Sequence, residues 1–546
     1  MSDIKPETRN PSLRLFALRC AVHVDALRHS PADYLWSIWW LITGKKLRAR
    51  LQLAPLLGAS SRAYDLWRAQ RLSDTQNKAA AEDKGPNLRA IINDGDKVEL
   101  TLSSCQSEGL AASVISAPHD LAELALRNDE WALPLFAGDT LAKGAHAQYR
   151  AATMASSANT HVIYADDDLI DSAGRLTKPH LKPSWNGELF EHFDFLTGSA
   201  LIRSSMLPDL AHLDQNWAEK LTHRAIAETA KSAGEPVHIP CVLHHRRARL
   251  PSKPLQTLAD GKEPLPSISV IIPTRNRVDL LRECLEGLRR TTYCGHLDIL
   301  VIDNGSDDEE TLDYLSGLDT GVARVLRDDG PFNFAALNNR AVESTRGELL
   351  CFLNNDIEVR DPNWLRVMAT QALREDVGAV GARLLYPDGR IQHAGVVLGI
   401  GGAAAHAHRR IAPNEEGYFH RHSLPQFVSA VTAACLVVSR RKFLAVGGFD
   451  ERNFAVSFND VDLCLRLAQQ GWNSLYEPRA TLIHHESVSR GLDRDVKGAA
   501  RQAQEVAALQ SKWQTGLASA DNMAKGVDPY HHPGLSRLSE LFVLDL

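Results

Sequence analysis

Two acidic residues, Asp356 and Asp460, stand where their local sequence would let them do chemistry. Asp356 follows the apolar run Leu349-Leu350-Cys351-Phe352-Leu353 and the pair Asn354-Asn355. A carboxylate at the end of a buried strand can hold a hard divalent cation that completes its shell with substrate phosphates and water. A single aspartate after a strand is more often a turn or cap residue, so the reading of Asp356 depends on its neighbours. Asp460 lies in Phe458-Asn459-Asp460-Val461-Asp462, where Asn459 is expected to cap a helix with Val461, Cys464, Leu465 and Ala468 on its apolar face. The positive end of a helix lowers the proton affinity of a first-turn carboxylate, and a general base must in addition reach the hydroxyl it deprotonates. In the plainer reading Asp460 and Asp462 only complement the helix dipole, and that fits Asp462 well. Thr481-Leu482-Ile483 reads as a strand running into His484 and His485, and a neutral imidazole suits a manganese-type ion. Adjacent strand residues face opposite ways, so at most one of the two, with His484 favoured, turns towards the site.

The elements that must position these residues are legible from Ile268 onward. Apolar runs Ile268–Ile272, Ile299–Ile302, Leu349–Leu353 and Val377–Ala382 alternate with amphipathic stretches such as Val278–Arg290 and Ala335–Thr345. This alternation predicts strand–helix units around a mainly parallel sheet. Ligands of such sheets bind beyond the carboxyl ends of the strands. Three polar segments fall there: Pro273-Thr274-Arg275-Asn276-Arg277, Asp303-Asn304-Gly305-Ser306-Asp307 and Asn354-Asn355-Asp356. Asp303 can accept hydrogen bonds from a nucleotide base, and Asp-Asn-Gly-Ser is equally ordinary turn chemistry.

At 546 residues the chain exceeds what one core usually organises. The expected division is a helical region over 1–85, a first α/β domain over 86–250, a proline-rich linker over 251–266, a catalytic domain over 267–492 and a helical extension over 493–546. Hydrophobic residues are 44% and charged residues 23%, the balance of a globular protein. A net charge of -6 supplies no broad basic field and argues against nucleic acid as a partner. The eight cysteines are scattered, as suits reduced thiols in the cytoplasm. No run approaches the length needed to cross a bilayer, and no secretory signal is evident. Tyr34–Ile42 is short and tryptophan-rich, with Lys45, Lys46, Arg48 and Arg50 behind it. It reads either as a helix packed on the protein's own body, the favoured reading, or as a peripheral membrane contact.

Ser269-Val270-Ile271-Ile272-Pro273-Thr274, Val301-Ile302-Asp303-Asn304-Gly305-Ser306 and Phe352-Leu353-Asn354-Asn355-Asp356, in that order, resemble family two of the inverting glycosyltransferases. The likeness covers about 267–492 and is strongest to the rhamnosyltransferase-like branch that builds bacterial surface polysaccharides such as O-antigen and exopolysaccharide. It implies a glycosyltransferase-A (GT-A) fold, a nucleotide-diphosphate sugar as donor, a glycan or lipid-linked glycan as acceptor, a divalent metal (Mg2+ or Mn2+), and work in the cytoplasm, in particular at the inner membrane face. By resemblance, Pro273, Thr274, Arg275, Asp303, Asn339, Arg340 and Asn355 bind the nucleotide sugar, Asp356 holds the metal with His484 or His485, and Asp460 is the base. The family's aspartate-x-aspartate motif is Asn354-Asn355-Asp356 here, one formal charge short. Gln392-His393-Ala394-Gly395 and Ala405-His406-Ala407-His408 belong to the same branch. Gly399-Ile400-Gly401-Gly402 lacks the strand, lysine and helix of a phosphate loop and reads as a mobile flap.

The first half echoes the second. Asp166-Asp167-Asp168-Leu169-Ile170-Asp171-Ser172-Ala173-Gly174-Arg175 is similar to Tyr386-Pro387-Asp388-Gly389-Arg390, and His238–His245 to Glu477–His485. An internal duplication is expected. Its metal position falls near Phe136-Ala137-Gly138-Asp139, so the acidic triplet is a decoy, and Asp168→Ala is expected to leave turnover nearly intact. Neither the opening strand–proline motif nor the paired aspartates recur, which implies a degenerate transferase-like domain. Two other classes compete. A nucleotidyltransferase needs a glycine-rich basic loop after the first strand, and a non-catalytic carbohydrate-binding scaffold does not need Asp356 and Asp460 together.

Overall fold

The computed structural model describes residues 11–75, 85–117, 120, 124, 130–206, 216–256, 265–485, 496–515 and 528–546. Four helices, α1 (Pro11–His29), α2 (Pro31–Ile42), α3 (Lys46–Gly58) and α4 (Ala63–Thr75), precede two α/β sheets. The first sheet is built from β1 (Leu88–Asn93), β2 (Ala111–Ile115), β3 (Trp131–Leu135), β4 (Thr140–Leu141), β5 (Val162–Ile170), β6 (Leu176–His180), β7 (Ala200–Arg203) and β8 (Val237–Arg246). The second contains β9 (Ile268–Thr274), β10 (Leu297–Asp303), β11 (Arg324–Arg327), β12 (Leu349–Leu353), β13 (Ile357–Glu358), β14 (Val377–Leu385) and β15 (Ile391–His393). After β16 (Val396–Leu398) and β17 (Ala404–His406), which form a small ribbon, β18 (Gln426–Val428), β19 (Cys435–Ser439) and β20 (Asn473–His484) complete it.

The two sheets share one topology. The first runs β2-β1-β3-β7-β5-β8-β4 with β6 on β5; the second runs β10-β9-β12-β19-β14-β20-β13 with β15 on β14, and adds β11 and β18. Parallel and antiparallel pairings also correspond, from β1 with β3 and β9 with β12 (parallel) to β4 with β8 and β13 with β20 (antiparallel). The hairpin turns repeat too: Asp171 N–H donates to Arg175 O and Gly174 N–H to Asp171 O, as Tyr386 does to Arg390 and Gly389 to Tyr386. Gly174 (φ 77°) and Gly389 (φ 84°) both take the left-handed position that such a turn reserves for glycine.

The expected parallel order holds from β11 to β12, whereas β19 runs antiparallel to both β12 and β14, so the second half of the sheet is mixed. Continuous apolar runs form these strands because both faces are covered. Val270, Ile272, Cys351 and Leu353 enter one core; Ile271, Leu350 and Phe352 enter the other. Helices Val278–Arg289 and Phe334–Glu343 lie where the periodicity places them.

The C-terminal extension is helical over Val496–Trp513, but 528–546 is a folded-back tail of turns. It touches every layer. Ser184 N–H donates to Pro529 O at 2.9 Å, Trp67 Nε1 to Gly534 O at 3.1 Å, and Leu398 N–H to the Asp528 carboxylate at 2.8 Å. The glycine segment near 400 is pinned by it, Gly401 N–H donating to Arg537 O at 2.9 Å, so it is tied down and not a free flap.

Candidate active site

The three polar segments meet at the carboxyl edge of the second sheet. Asn355 Nδ2 donates to Thr274 Oγ1 at 3.0 Å, which joins the ends of β9 and β12. Asn276 N–H donates to Ser306 Oγ at 2.8 Å, which joins β9 to β10. Asn276 and Arg277 are consecutive left-handed residues (φ 53° and 54°), a strained backbone held by these contacts, and strain of this kind collects at functional loops. Pro273 is half-buried at the strand end, whereas Arg275 is exposed and lies 3.9 Å from Asp307. Arg277, two residues on, is the arginine of this segment that feels the Asp356 carboxylate. Its hydrogen bond to Asp279, helped by the Asp356 carboxylate, holds its guanidinium above the ordinary value.

Asp303 is buried and forms the Asx turn: Oδ1 accepts from Ser306 N–H at 2.9 Å while Oδ2 pairs with Arg327 at 2.5 Å. Asn339 Nδ2 donates to Phe449 O and its Oδ1 accepts from Phe449 N–H, both at 2.9 Å, which ties the amide to a neighbouring loop. Arg340, one residue on, is half-exposed and bound to Asp328 at the end of β11.

Asp356 is 4% exposed, immediately before β13. Its Oδ1 lies 3.1 Å from His484 Nε2, at the end of β20. His484 Nδ1 is 2.7 Å from Gln392 Oε1, and its Nε2 is 3.3 Å from Asn354 Nδ2. Since a carbonyl oxygen can only accept, the ring proton sits on Nδ1, and Nε2 receives the Asn354 N–H. Nε2 and Asp356 Oδ1 then oppose lone pair to lone pair unless a second proton or a metal cation stands between them. Burial by itself raises the Asp356 carboxyl, but the His484 hydrogen bond and charge, with His485 behind, hold it below the ordinary value. These residues fit a divalent cation: one carboxylate, one imidazole with an oriented tautomer, and Asn354 as the neutral substitute for a second acid. His485 diverges from His484 as strand geometry requires and meets Glu358 at 3.1 Å. With Asp356, Glu358 and Glu283 it lines a cavity of about 330 Å3.

Asp460 stands second in the helix Asn459–Gln469. The expected Asn459 cap is not formed. Phe458 occupies the cap position with φ 62° and no side-chain bond, while Asn459 Nδ2 turns back to Val456 O at 2.9 Å. Asp460 Oδ2 accepts from Ala433 N–H at 3.0 Å and Oδ1 from Val461 N–H at 2.8 Å. Desolvation outweighs these bonds and that of Thr432, so the carboxyl is pushed above its ordinary value, the reverse of the shift expected from the helix end. Asp462 is fully buried between Arg466 (2.7 Å), Lys512 (2.7 Å) and Trp513 Nε1 (2.9 Å), a structural role.

Two bridges connect the Asp356 and Asp460 regions. Asn354 N–H donates to Ala434 O at 3.0 Å, beside the Ala433 amide that binds Asp460. Gln392 touches His484, and its neighbour His393 accepts at Nε2 from Thr432 N–H at 3.5 Å, beside the Thr432 side chain that bonds Asp460. Gly395 (φ 92°) ends this motif against Val428, where a Cβ would lie 2.7 Å from a methyl group. Gln392, Thr432 and Arg277 are functional candidates that sequence reasoning missed. The Gln392-His393 motif was visible, but its partners lie across the fold.

The first sheet lacks this equipment. Asp139, before β4 as Asp356 is before β13, has Arg246 3.7 Å from its Oδ2 where Asp356 has an imidazole, and burial pushes its carboxyl up to about 6. The helix Trp217–Lys231 opens Trp217-Ala218-Glu219, with Ala218 second. The acidic triplet on β5 is consumed internally: Asp166 by His238 and His532, Asp167 by Lys182 and Arg249, and Asp168 by Tyr64 (2.6 Å) and His245 (2.7 Å). Asp166, His238 and His532 are spaced like metal ligands. His532 Nδ1, however, accepts from Gly534 N–H at 2.8 Å, so its proton lies on Nε2, facing Asp166, and no lone pair remains for a cation. A cleft of about 1400 Å3 lies between α4, the β5–β6 hairpin, Glu416–His420 and the tail. It holds none of the residues expected to do chemistry, so the smaller cavity at Asp356 is the better candidate.

An α/β domain with polar strand ends, a buried carboxylate before β13 and a second carboxylate on an adjoining helix matches the GT-A fold. Residues 269–430 match the sequence model of Glycosyl transferase family 2. The chain is 35% identical over 426 residues to an uncharacterized protein, y4gI, of Sinorhizobium fredii (70% of this chain, 46% of the relative). It is 31% identical over 478 residues to the O-antigen biosynthesis protein RfbC of Myxococcus xanthus (80% of this chain, 36% of the relative). A 66-residue stretch is 47% identical to the N-acetylglucosaminyl-diphospho-decaprenol L-rhamnosyltransferase of Mycobacterium tuberculosis (12% of this chain, 21% of the relative). The chain thus spans less than half the length of these relatives.

Proposed function

We propose that this protein transfers a sugar from a nucleoside-diphosphate carrier to a hydroxyl of a glycan or lipid-linked glycan acceptor, with inversion, in the synthesis of a bacterial surface polysaccharide. The observation that carries the reading is the double bridge between the Asp356–His484 pair and Asp460. These bridges tie an anionic pocket suited to a metal to a separate carboxylate with raised proton affinity. The match to the rhamnosyltransferase supports the reaction class, and the likeness to RfbC supports the biosynthetic setting.

A bound Mg2+ or Mn2+ would supply charge stabilisation to the departing diphosphate. Asp356 and His484 Nε2 would hold it, Gln392 fixing the imidazole through Nδ1 and the Asn354 amide giving up Nε2 to the cation. Arg277, with Arg275 and Arg340 further out, adds positive charge on the donor side, and Asp303, Thr274 and Asn355 shape the nucleotide end. Asp460 accepts the proton of the acceptor hydroxyl as that oxygen attacks the anomeric carbon. Its raised proton affinity suits a base, which is strongest when its pKa approaches the working pH. The first sheet, with Arg246 on Asp139, serves a structural or acceptor-binding role as a degenerate copy. NMR of the product's anomeric configuration, after a screen of nucleotide sugars with Mn2+ and with EDTA, tests the proposal: inversion is expected, and retention contradicts it.

A further inference from the structure

The tryptophan-rich helix α2 is inside out. Its buried residue is Ser37, fully enclosed and bonded to Asp33 O at 2.8 Å, which satisfies the hydroxyl without a tertiary partner. On the same inward side Tyr34 Oη meets His23 Nδ1 of α1 at 3.0 Å. The outward stripe, at the i, i+1, i+4, i+7 spacing of one helix face, is apolar: Leu35, Trp36, Trp39 and Ile42 are 60%, 56%, 54% and 74% exposed. The helix does pack on α1 and α3, as the reading favoured from sequence has it, but its larger apolar stripe faces outward. Two large indoles half in solvent cost free energy that a soluble surface has no reason to bear.

The stripe ends in a basic corner. Gly44 (φ 80°) closes the helix, with Lys45 N–H donating to Trp40 O at 2.8 Å. The chain then turns into α3, placing Lys45, Lys46, Arg48 and Arg50 in solvent together with Leu47, and Arg48 stacks over Trp40 at 4.2 Å. Among the described residues no helix is long and apolar enough to cross a membrane. Apolar and indole side chains beside a cluster of cations match the boundary of an anionic bilayer, where tryptophan sits at headgroup depth and lysine reaches the lipid phosphates.

We infer that α2 and the turn into α3 form an interfacial anchor that seats this protein on an anionic lipid surface. The anchor does not depend on the catalytic assignment, and its test involves no turnover. The full chain is sedimented with vesicles of phosphatidylcholine alone and of phosphatidylcholine mixed equally with phosphatidylglycerol. Partition onto the anionic vesicles is expected, with weaker partition onto neutral ones. Combined Trp36→Ser, Trp39→Ser and Ile42→Ser should abolish both. Lys45→Gln with Lys46→Gln should weaken anionic partition roughly thirty-fold and leave neutral partition unchanged. Circular dichroism should match the wild type, since every altered side chain is exposed. Absence of partition, equal binding to both vesicles, or full binding by the triple variant overturns the inference. So does a dimer in light scattering that the triple variant dissociates without any lipid binding, which would assign the face to a second copy.

Discussion

Gln392 connects two functions through one amide. Its Oε1 fixes the His484 tautomer, and its chain neighbour His393 adjoins the Thr432 segment that holds Asp460. Loss of such an outer partner typically costs 10–100-fold in metal affinity. Gln392→Leu should therefore weaken Mn2+ binding by about that factor, as followed by electron paramagnetic resonance, while Gln392→Glu, which keeps an acceptor oxygen, should restore most of it. Equal affinity in wild type and Gln392→Leu would remove the positioning role. Asp460 makes a separate prediction. Its carboxyl is raised by burial, and a base works only when ionised, so kcat/KM should fall as pH drops through a pKa above the ordinary carboxylate range. Asp460→Asn should lower turnover by about 10²–10⁴-fold, the usual contribution of a general base. An acid limb at the ordinary carboxylate value, or turnover close to wild type, would contradict the assignment. Asp356, His484 and Asp460 were legible because each sits at a strand or helix end marked by an apolar run. Gln392, Thr432 and Arg277 were not, because a side-chain amide or hydroxyl has no periodicity to betray its partner. The sign of the Asp460 shift was also hidden, since desolvation depends on what packs over the helix end.

At the scale of elements, strand order explains both the site and its decayed counterpart. Sequence similarity at one hairpin turn and one strand end suggested the duplication, but the identical strand order depends on long-range pairings that no local pattern encodes. The β19 reversal was unreadable for the same reason, because its apolar Cys-Leu-Val-Val run fits either direction. Asp168 shows what the duplication changed. Residues expected to be a harmless decoy are a buried polar hub that ties β5 to α4 and β8. Hydrogen bonds to a charged group are worth about 1.5–3 kcal/mol each, and Asp168→Ala leaves Tyr64 and His245 without theirs. Denaturant unfolding should show a loss of roughly 3–6 kcal/mol, with turnover per folded molecule close to wild type. A stable variant with collapsed turnover would instead place chemistry in the first sheet.

Across the whole molecule, the tail 528–546 joins three layers through Pro529, Gly534 and Asp528, and His532 closes on Asp166 in the first sheet. None of this was legible, since His531-His532-Pro533-Gly534 carries turn residues without an apolar period. The polar stretch near 255 falls between runs that enter separate cores, whereas Tyr64 and Trp67 of the N-terminal helices share a core with Leu181 and Leu535. The account stands on Asp356 and Asp460 serving one crevice in different capacities. Calorimetry of nucleoside diphosphates against wild type, Asp356→Ala and Asp460→Asn, with and without Mn2+, tests this most directly. Metal-dependent binding should survive in Asp460→Asn and vanish in Asp356→Ala; unchanged binding in Asp356→Ala, or its loss in both variants, would contradict the account.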